Sequence, residues 1–131
     1  MSLPNRETKW YLDSGATAHM CNSVESFSEL QKPDQATVQI GDGMQLNVIN
    51  KGNLDGSVIV NGRRESAIFH NVLVVPELKF NLLSVSQIRK KGYSVMFTED
   101  EHGNGTCQVI NNSTEKLCFI GIELPNGLYE I

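Results

Sequence analysis

Turn dipeptides recur at short intervals along this chain and separate brief runs of apolar and β-branched residues. The clearest are Asp42-Gly43, Asp55-Gly56 and Asn61-Gly62, because aspartate or asparagine before glycine is a preferred pair at the centre of a tight hairpin turn. The runs around them span residues 37–40, 45–49, 57–60 and 67–69. Short strands joined by such turns predict antiparallel hairpins and a mainly β domain.

The rest of the chain continues this pattern. Val72-Leu73-Val74-Val75 is apolar on both faces, which predicts an interior strand, and Pro76 ends it because proline has no N–H to donate to a ladder. Beyond these residues, strand-like segments alternate with turn clusters; they span residues 93–98, 106–110, 117–122 and 128–131. We therefore expect an all-β fold in one domain over residues 1–131.

One short helix interrupts the strands. Ser84 is a suitable N-cap, and Gln87 follows three residues later, as in a capping box. The basic run 89–91 is favourable at the negative end of the helix dipole, and Gly92 is a typical residue just past a helix. The sequence predicts a helix between Ser84 and Gly92.

Composition narrows the classes of function. The chain has 131 residues, of which 40% are hydrophobic, enough for one compact core. The formal net charge is −4 and the longest basic run is residues 89–91, so no nucleic-acid surface is expected. Three widely spaced cysteines, Cys21, Cys107 and Cys118, favour a reducing compartment. Neither a signal peptide nor a membrane span is visible, and we expect a cytoplasmic location.

The tripeptide Asp13-Ser14-Gly15 follows an apolar run and leads into Ala16. Such a tripeptide suits a carboxyl group held in a tight turn beside a cleft, and by itself also suits an ordinary turn in which aspartate caps its own backbone. An aspartyl hydrolase needs two carboxyls, one ionised to activate water and one protonated to polarise the carbonyl under attack. With one such tripeptide per chain, the catalytic interpretation predicts a homodimer in which Asp13 meets its symmetry mate on a two-fold axis.

Two downstream segments bear on this acid. Ile40-Gly41-Asp42-Gly43-Met44 is the tip of a predicted hairpin, and its glycines would allow the backbone to close over an extended peptide. Asn81-Leu82-Leu83-Ser84 precedes the helix, and its apolar pair is expected to form a dry floor under the Asp13 turn. A dry floor would raise the proton affinity of the acid.

Other chemistries fit the residues less well. His19 and Cys21, with His70 or His102, do not have the spacing of a recognised zinc site, and we expect no metal and no cofactor. A nucleophilic pair of Cys21 with a histidine would lack an orienting third group. We interpret His19 as structural, with an imidazole that holds the loop after Asp13 through a backbone hydrogen bond.

Three segments in this order resemble the protease region of copia-type retrotransposon polyproteins. They are Trp10-Tyr11-Leu12-Asp13-Ser14-Gly15-Ala16-Thr17-Ala18-His19-Met20, then Gly41-Asp42-Gly43, then the segment from Asn71 through Asn81-Leu82-Leu83-Ser84 to Ile88. The closing Asn126-Gly127-Leu128-Tyr129 resembles the link between that protease and the region before integrase. At longer range the chain is similar to the retropepsins, the aspartic proteases of retroviruses.

This resemblance implies a closed acid-protease barrel, an obligate homodimer, and an aspartic endopeptidase that cleaves the element's own polyprotein within retroelement particles. Asp13 would be the catalytic acid and base, Ser14 the hydroxyl that joins the two active-site turns across the axis, and Gly15 the residue that permits the turn. Residues 8–98 would be the protease core, and residues 99–131 an additional C-terminal β segment.

The resemblance also implies the substrate contacts, which would come from Ala16, from residues 40–44 as the flap, and from Leu82 and Leu83. One position departs from the retroviral pattern, which has glycine where this chain has Ser84.

A second function remains open, namely a catalytically inactive or domesticated dimer of the same fold that serves as a binding or assembly module. Neither function involves nucleic acid or a membrane directly.

Overall fold

The computed structural model describes residues 9–41 and 43–131. Twelve strands and one helix follow one another in that part of the chain. They are β1 (Trp10–Asp13), β2 (Met20–Cys21), β3 (Phe27–Gln31), β4 (Thr37–Gln39), β5 (Gln45–Asn47), β6 (Asn50–Val60), β7 (Arg63–Val74), β8 (Asn81–Ser84), α1 (Val85–Lys90), β9 (Tyr93–Glu99), β10 (Gly105–Asn111), β11 (Leu117–Glu123) and β12 (Tyr129–Glu130). The prediction of a mainly β chain with one short helix is confirmed.

Ten of these strands form one large sheet, and β4 pairs with β5 in a separate hairpin. The order across the large sheet is β3-β6-β7-β2-β8-β1-β12-β11-β10-β9. This order is linear, and no ladder joins β3 to β9 among the described residues. The closed barrel implied by the resemblance is therefore not seen in the described part of the chain.

Side-chain packing, and not a closing ladder, brings the two ends of the sheet together. The rings of Phe69 on β7 and Phe119 on β11 meet edge to face, with centroids 6.2 Å apart. The main core around them contains Trp10, Leu12, Cys21, Leu54, Val58, Val60, Val72, Leu83, Ile88, Cys107 and Val109. The C-terminal strands thus share a single core with β1, and β12 also pairs with β1.

A second, smaller apolar cluster lies beneath the β4–β5 hairpin. Val38 of β4 and Leu46 of β5 are buried while the residues on either side of them are exposed, so the hairpin attaches through one face. The other buried members of this cluster are Met20, Val48, Leu73, Val75 and Leu78. We call this set the hairpin cluster.

Two of the predicted turns have opposite outcomes. Asn61-Gly62 joins β6 to β7 with φ of 51° and 78°, the positive values that a tight hairpin turn requires, so this prediction is confirmed. The turn predicted at Asp55-Gly56 is wrong, because both residues lie inside β6 and pair with Ile68 and Ala67. The pairing of residues 54–60 of β6 with residues 63–69 of β7 outweighs the local preference of the dipeptide.

Helix α1 has the ends that its sequence predicts. The Ser84 hydroxyl accepts a hydrogen bond from the Gln87 N–H over 3.1 Å, and Gly92 follows the helix with a φ of 94°.

The apolar run of residues 72–75 before Pro76 is buried throughout, as predicted, and strand β7 ends within this run, at Val74. No helix in residues 9–41 and 43–131 has the length and apolar character needed to cross a membrane.

Gly52 allows β3 and β6 to approach closely, and its replacement should destabilise the fold. A Cβ at this buried position would clash with the carbonyl oxygen of Glu29, a backbone atom that cannot rotate away. We expect Gly52→Ala to lower the free energy of unfolding by about 1–3 kcal/mol, measured by urea denaturation. Gly41→Ala is the control, because a Cβ there meets no atom within 4 Å. Equal stabilities of the two variants would contradict this account.

Candidate active site

Strand β8 lies between β1 and β2, so the loop of residues 14–19 that joins β1 to β2 must cross the end of β8. β1 runs parallel to β8, which places Asp13 opposite Ser84. β2 runs antiparallel to β8, with Met20 opposite Leu82. Asp13 therefore stands at the end of β1, beside the junction where β8 becomes α1.

Asp13 begins a tight turn in which the backbone binds its carboxylate. The N–H of Gly15 donates to Asp13 Oδ1 over 2.8 Å. A Cβ at position 15 would lie 3.3 Å from that oxygen, so glycine leaves room for the contact. Asp13 is half-buried, while Ser14 and Gly15 are exposed. The turn thus presents an acid and a hydroxyl at the surface of the chain, a geometry common to an ordinary aspartate turn and to a catalytic one.

The Ser84 hydroxyl ties the loop after Asp13 to the start of α1. Ser84 Oγ donates to the carbonyl oxygen of Ala16 over 2.7 Å and accepts from the Gln87 N–H. Ser84 is fully buried and Ala16 is 7% exposed. The departure from the retroviral glycine therefore has a structural role, because this side chain satisfies one buried carbonyl and one helix-terminal N–H together.

The Gln87 side chain holds the same loop one residue further on. Its Nε2 donates to the carbonyl oxygen of Thr17 over 2.9 Å. The predicted capping box is thus only half confirmed: the Ser84 cap forms, but the Gln87 amide binds the loop from Ala16 to His19 instead of returning to the cap residue.

His19 completes this connection with a buried, neutral imidazole. Its Nδ1 accepts a hydrogen bond from the Ser84 N–H over 2.9 Å, which places the ring proton on Nε2. Burial lowers the pKa of His19 from 6.5 to about 4, and its ring packs edge to face on Phe69. The structure therefore supports the structural role predicted for His19.

Cys21 and the histidines were the residues of the alternative chemistries. Cys21 is buried, its thiol donates to the Ser23 carbonyl over 3.3 Å, and burial raises its pKa, so it is not an activated thiolate. Within the described ranges, no three His, Cys, Asp or Glu side chains lie close enough to hold a metal ion.

The predicted flap is the tip of the β4–β5 hairpin. The N–H of Ile40 donates to Met44 O over 3.0 Å, and the N–H of Gly43 donates to Ile40 O over 2.8 Å. Gly43 has a φ of 86°, which glycine adopts without strain, and Met44 is 55% exposed. Asp42 lies outside the described residues. The tip is thus a tight, exposed turn on a hairpin anchored at its base.

The two leucines of the predicted floor face opposite sides of the sheet. Leu82 packs against the hairpin cluster, as do Ile40 and Ala18, whereas Leu83 lies in the main core with Leu12. Neighbouring residues of a strand point to opposite faces, and for this reason a joint floor does not form. The structure brings Leu82, and not Leu83, together with the base of the flap and the loop after Asp13.

Two polar residues were not singled out in the sequence, one in the loop after Asp13 and one at the far end of β8. Thr17 contributes only its carbonyl oxygen, which no sequence pattern reveals. Asn81 is buried, and its Oδ1 accepts from the N–H of Asn22, whose side chain donates to Leu78 O. An asparagine at the start of an apolar strand is a signal that could have pointed to such a buried hydrogen bond.

Comparison with known proteins gives consistent matches. Residues 10–93 match the model of a protein family described as "Pol polyprotein, beta-barrel domain". The retrovirus-related Pol polyprotein from transposon RE1 of Arabidopsis thaliana is 31% identical over 100 residues, which are 74% of this chain and 6% of that protein. A putative transposon Ty5-1 protein of Saccharomyces cerevisiae is 26% identical over 80 residues, 61% of this chain and 49% of its own length. No solved structure matches significantly. The chain thus spans half or less of the length of these relatives.

Removing the Ser84 hydroxyl should loosen the loop and destabilise the fold. Ser84→Ala leaves the Ala16 carbonyl and the Gln87 N–H without their partner in a buried place. We expect the free energy of unfolding to fall by about 1–3 kcal/mol, with faster amide hydrogen exchange in residues 14–19. Ser86→Ala, on the same helix, is the matched control. A Ser84 variant as stable as the control would contradict the role assigned to the hydroxyl.

His19 should make stability depend on pH in the acid range. Its pKa of about 4 in the folded protein lies below its ordinary value of 6.5, so between these values the unfolded chain binds a proton that the folded chain does not. The His19 contribution is therefore fully present above about pH 6.5 and is lost as the pH falls towards 4, by about 3 kcal/mol in total.

The test is urea denaturation of His19→Asn across this pH range. An asparagine Oδ1 can accept from the Ser84 N–H without titrating, so the variant should lose most of the slope, even if it is less stable overall. His102→Asn, at an exposed imidazole, should behave as the unaltered protein. The same slope in His19→Asn would show that other groups cause the dependence.

Proposed function

Because this chain belongs to the beta-barrel domain family of Pol polyproteins, we propose that it is the aspartic endopeptidase of a copia-type retroelement and cleaves the polyprotein of that element. The observation that carries the proposal is the Asp13 turn. Its acid, hydroxyl and glycine stand at the exposed end of a buried strand, and hydrogen bonds donated by Ser84 and Gln87 to Ala16, Thr17 and His19 hold the loop that follows.

One protomer supplies only half of the machinery that this reaction requires. Two carboxyls must face each other across a water molecule, since like charges at that distance keep one group protonated while the other is ionised. The second carboxyl in this proposal is Asp13 of an identical chain, related by a two-fold axis. The exposure of Ser14 and Gly15 is compatible with such a contact, because a partner's turn could reach them without a rearrangement of the core.

The mechanism follows from this pair. The ionised Asp13 takes a proton from the water as it adds to the scissile carbonyl, and the protonated Asp13 gives its proton to the carbonyl oxygen, so no covalent intermediate with the enzyme forms. The C–N bond then breaks as one carboxyl protonates the leaving nitrogen and the other takes the proton of a hydroxyl. The pair titrates as a unit, and activity should fall when both carboxyls ionise. The flap of residues 40–44 would close over the extended substrate, with Ala16 and Leu82 at its side of the cleft.

The position of Leu83 in the main core argues for an indirect part, in which it supports the strand beneath the turn. In this proposal the protease core comprises residues 8–98, and residues 99–131 lead towards the next region of the polyprotein. We also propose a location within retroelement particles, with a homodimer and a polypeptide as the partners.

Replacing the acid should abolish cleavage while leaving the fold and the dimer intact. We expect Asp13→Asn to show no processing of a longer precursor at mildly acid pH, and pepstatin to inhibit the unaltered chain. Asp55→Asn, at an exposed position of β6, is the control and should cleave normally. Cleavage is followed by mass spectrometry, and association by analytical sedimentation.

The outcomes separate the two functions. Processing that Asp13→Asn abolishes and pepstatin inhibits would support the protease. A stable dimer of the unaltered chain that cuts nothing would instead favour a binding or assembly module. Unchanged cleavage by Asp13→Asn would disprove the assignment of the acid, and a monomer at all concentrations would disprove the shared site.

A further inference from the structure

A groove of about 660 Å³ opens between β7 and β11. Phe69, Phe119, Ile88 and Val109 give it an apolar interior. Asp13 and the flap do not line it, whereas His19 and Gln87, which hold the loop after Asp13, do. The groove therefore adjoins the candidate active site without including the acid.

Two walls of the groove are strand edges. Every residue from 65 to 70 on β7 lines it, and so does every residue from 116 to 119 at the start of β11. Because side chains alternate between the faces of a strand, an unbroken run means that the strand turns its backbone edge to the groove. β10 contributes only the alternate residues Val109 and Asn111, as expected for a strand seen from its face.

Both edges are unpaired because the neighbouring strands are short. β7 pairs with β6 through most of its length, but with β2 only at Leu73 and Val74. β11 pairs with β12 only at Ile122 and Glu123. Among the strands that the structure describes, none pairs with the second edge of residues 65–70 or 117–120. Backbone donors and acceptors on both walls are therefore available to another strand.

The charge around the groove is uneven. Two lysines lie near the turn between β10 and β11. The Asn111 N–H donates to Lys116 O, and the Asn112 N–H donates to the carbonyl oxygen of Gly92, the residue after Lys91. Both lysines are exposed and line the groove, and neither takes part in an ion pair described in residues 9–41 and 43–131. The acidic lining is limited to Glu65 on β7. The end with the two lysines is complementary to acidic side chains.

We propose that this groove binds an extended acidic polypeptide segment that adds as a strand to the free edge of β7. Main-chain hydrogen bonds to residues 65–70 provide the register. Alternate apolar side chains pack over the Phe69 and Phe119 rings, and acidic side chains meet Lys91 and Lys116. A run of six residues on β7 accommodates about 20 Å of extended chain. The proposal does not depend on proteolysis.

The probe is a capped, dye-labelled peptide with alternating valine and threonine at its centre and two glutamates at each end. It is titrated by fluorescence anisotropy into the Asp13→Asn chain, so that cleavage cannot consume it, and into the unaltered chain with pepstatin. We expect saturable binding to both, with slower amide hydrogen exchange confined to residues 65–70 and 117–120. A peptide N-methylated at alternate positions should not bind, because it lacks the donors that pair with β7.

The charge is tested with Lys91→Glu combined with Lys116→Glu. This double variant should bind the glutamate-flanked peptide several-fold more weakly and a lysine-flanked peptide more strongly. Lys32→Glu with Lys79→Glu changes the net charge equally away from the groove, and should leave both affinities unchanged. Absence of saturable binding, protection on the edges of β3 or β9 instead, or equal effects of the two double variants would overturn the proposal. So would slower hydrogen exchange in residues 65–70 when the concentration of the chain alone is raised, since the occupant of the groove would then be a second copy.

Discussion

The position of the Asp13 loop depends on one buried polar junction, formed by Ser84 and His19 where β8 becomes α1. Ser84 is fully buried and His19 is 5% exposed, yet the Ser84 N–H, the Ser84 hydroxyl and His19 Nδ1 all have partners. A buried polar group without a partner costs more than a typical hydrogen bond contributes, so few other arrangements of this loop are acceptable. The junction therefore fixes the loop from Ala16 to His19 and, through it, the direction in which the acid turn leaves β1.

The same junction limits the conditions under which the proposed chemistry can operate. Two carboxyls that share a proton work in mildly acid solution, where an exposed imidazole would also become charged. His19 must stay neutral, because a protonated Nδ1 cannot accept from the Ser84 N–H. Its burial meets this requirement by lowering its pKa to about 4. Burial of one histidine thus keeps the loop intact in the pH range in which the proposed acid pair would work.

Strand length explains the two surfaces on which function is proposed. Among the described strands, β2, β8, β1 and β12 at the centre of the sheet have two to four residues each, while β7 has 12. The short strands end early and leave room for the Asp13 loop and for α1. They also leave the longer neighbours with unpaired edges beyond them, which form the groove between β7 and β11. One feature of the sheet therefore underlies both surfaces.

Local chemistry in the sequence determined the mainly β character, the Asn61-Gly62 turn, the limits of α1 and the turn at Asp13, because each depends on residues a few positions apart. Tertiary structure alone decided the rest. Asp55-Gly56 became strand through its pairing with β7, Gln87 bound Thr17 and not its own cap, and Leu82 and Leu83 separated to opposite faces. Partners 11 to 70 positions apart fix the first two of these outcomes, and only the folded chain brings such residues together.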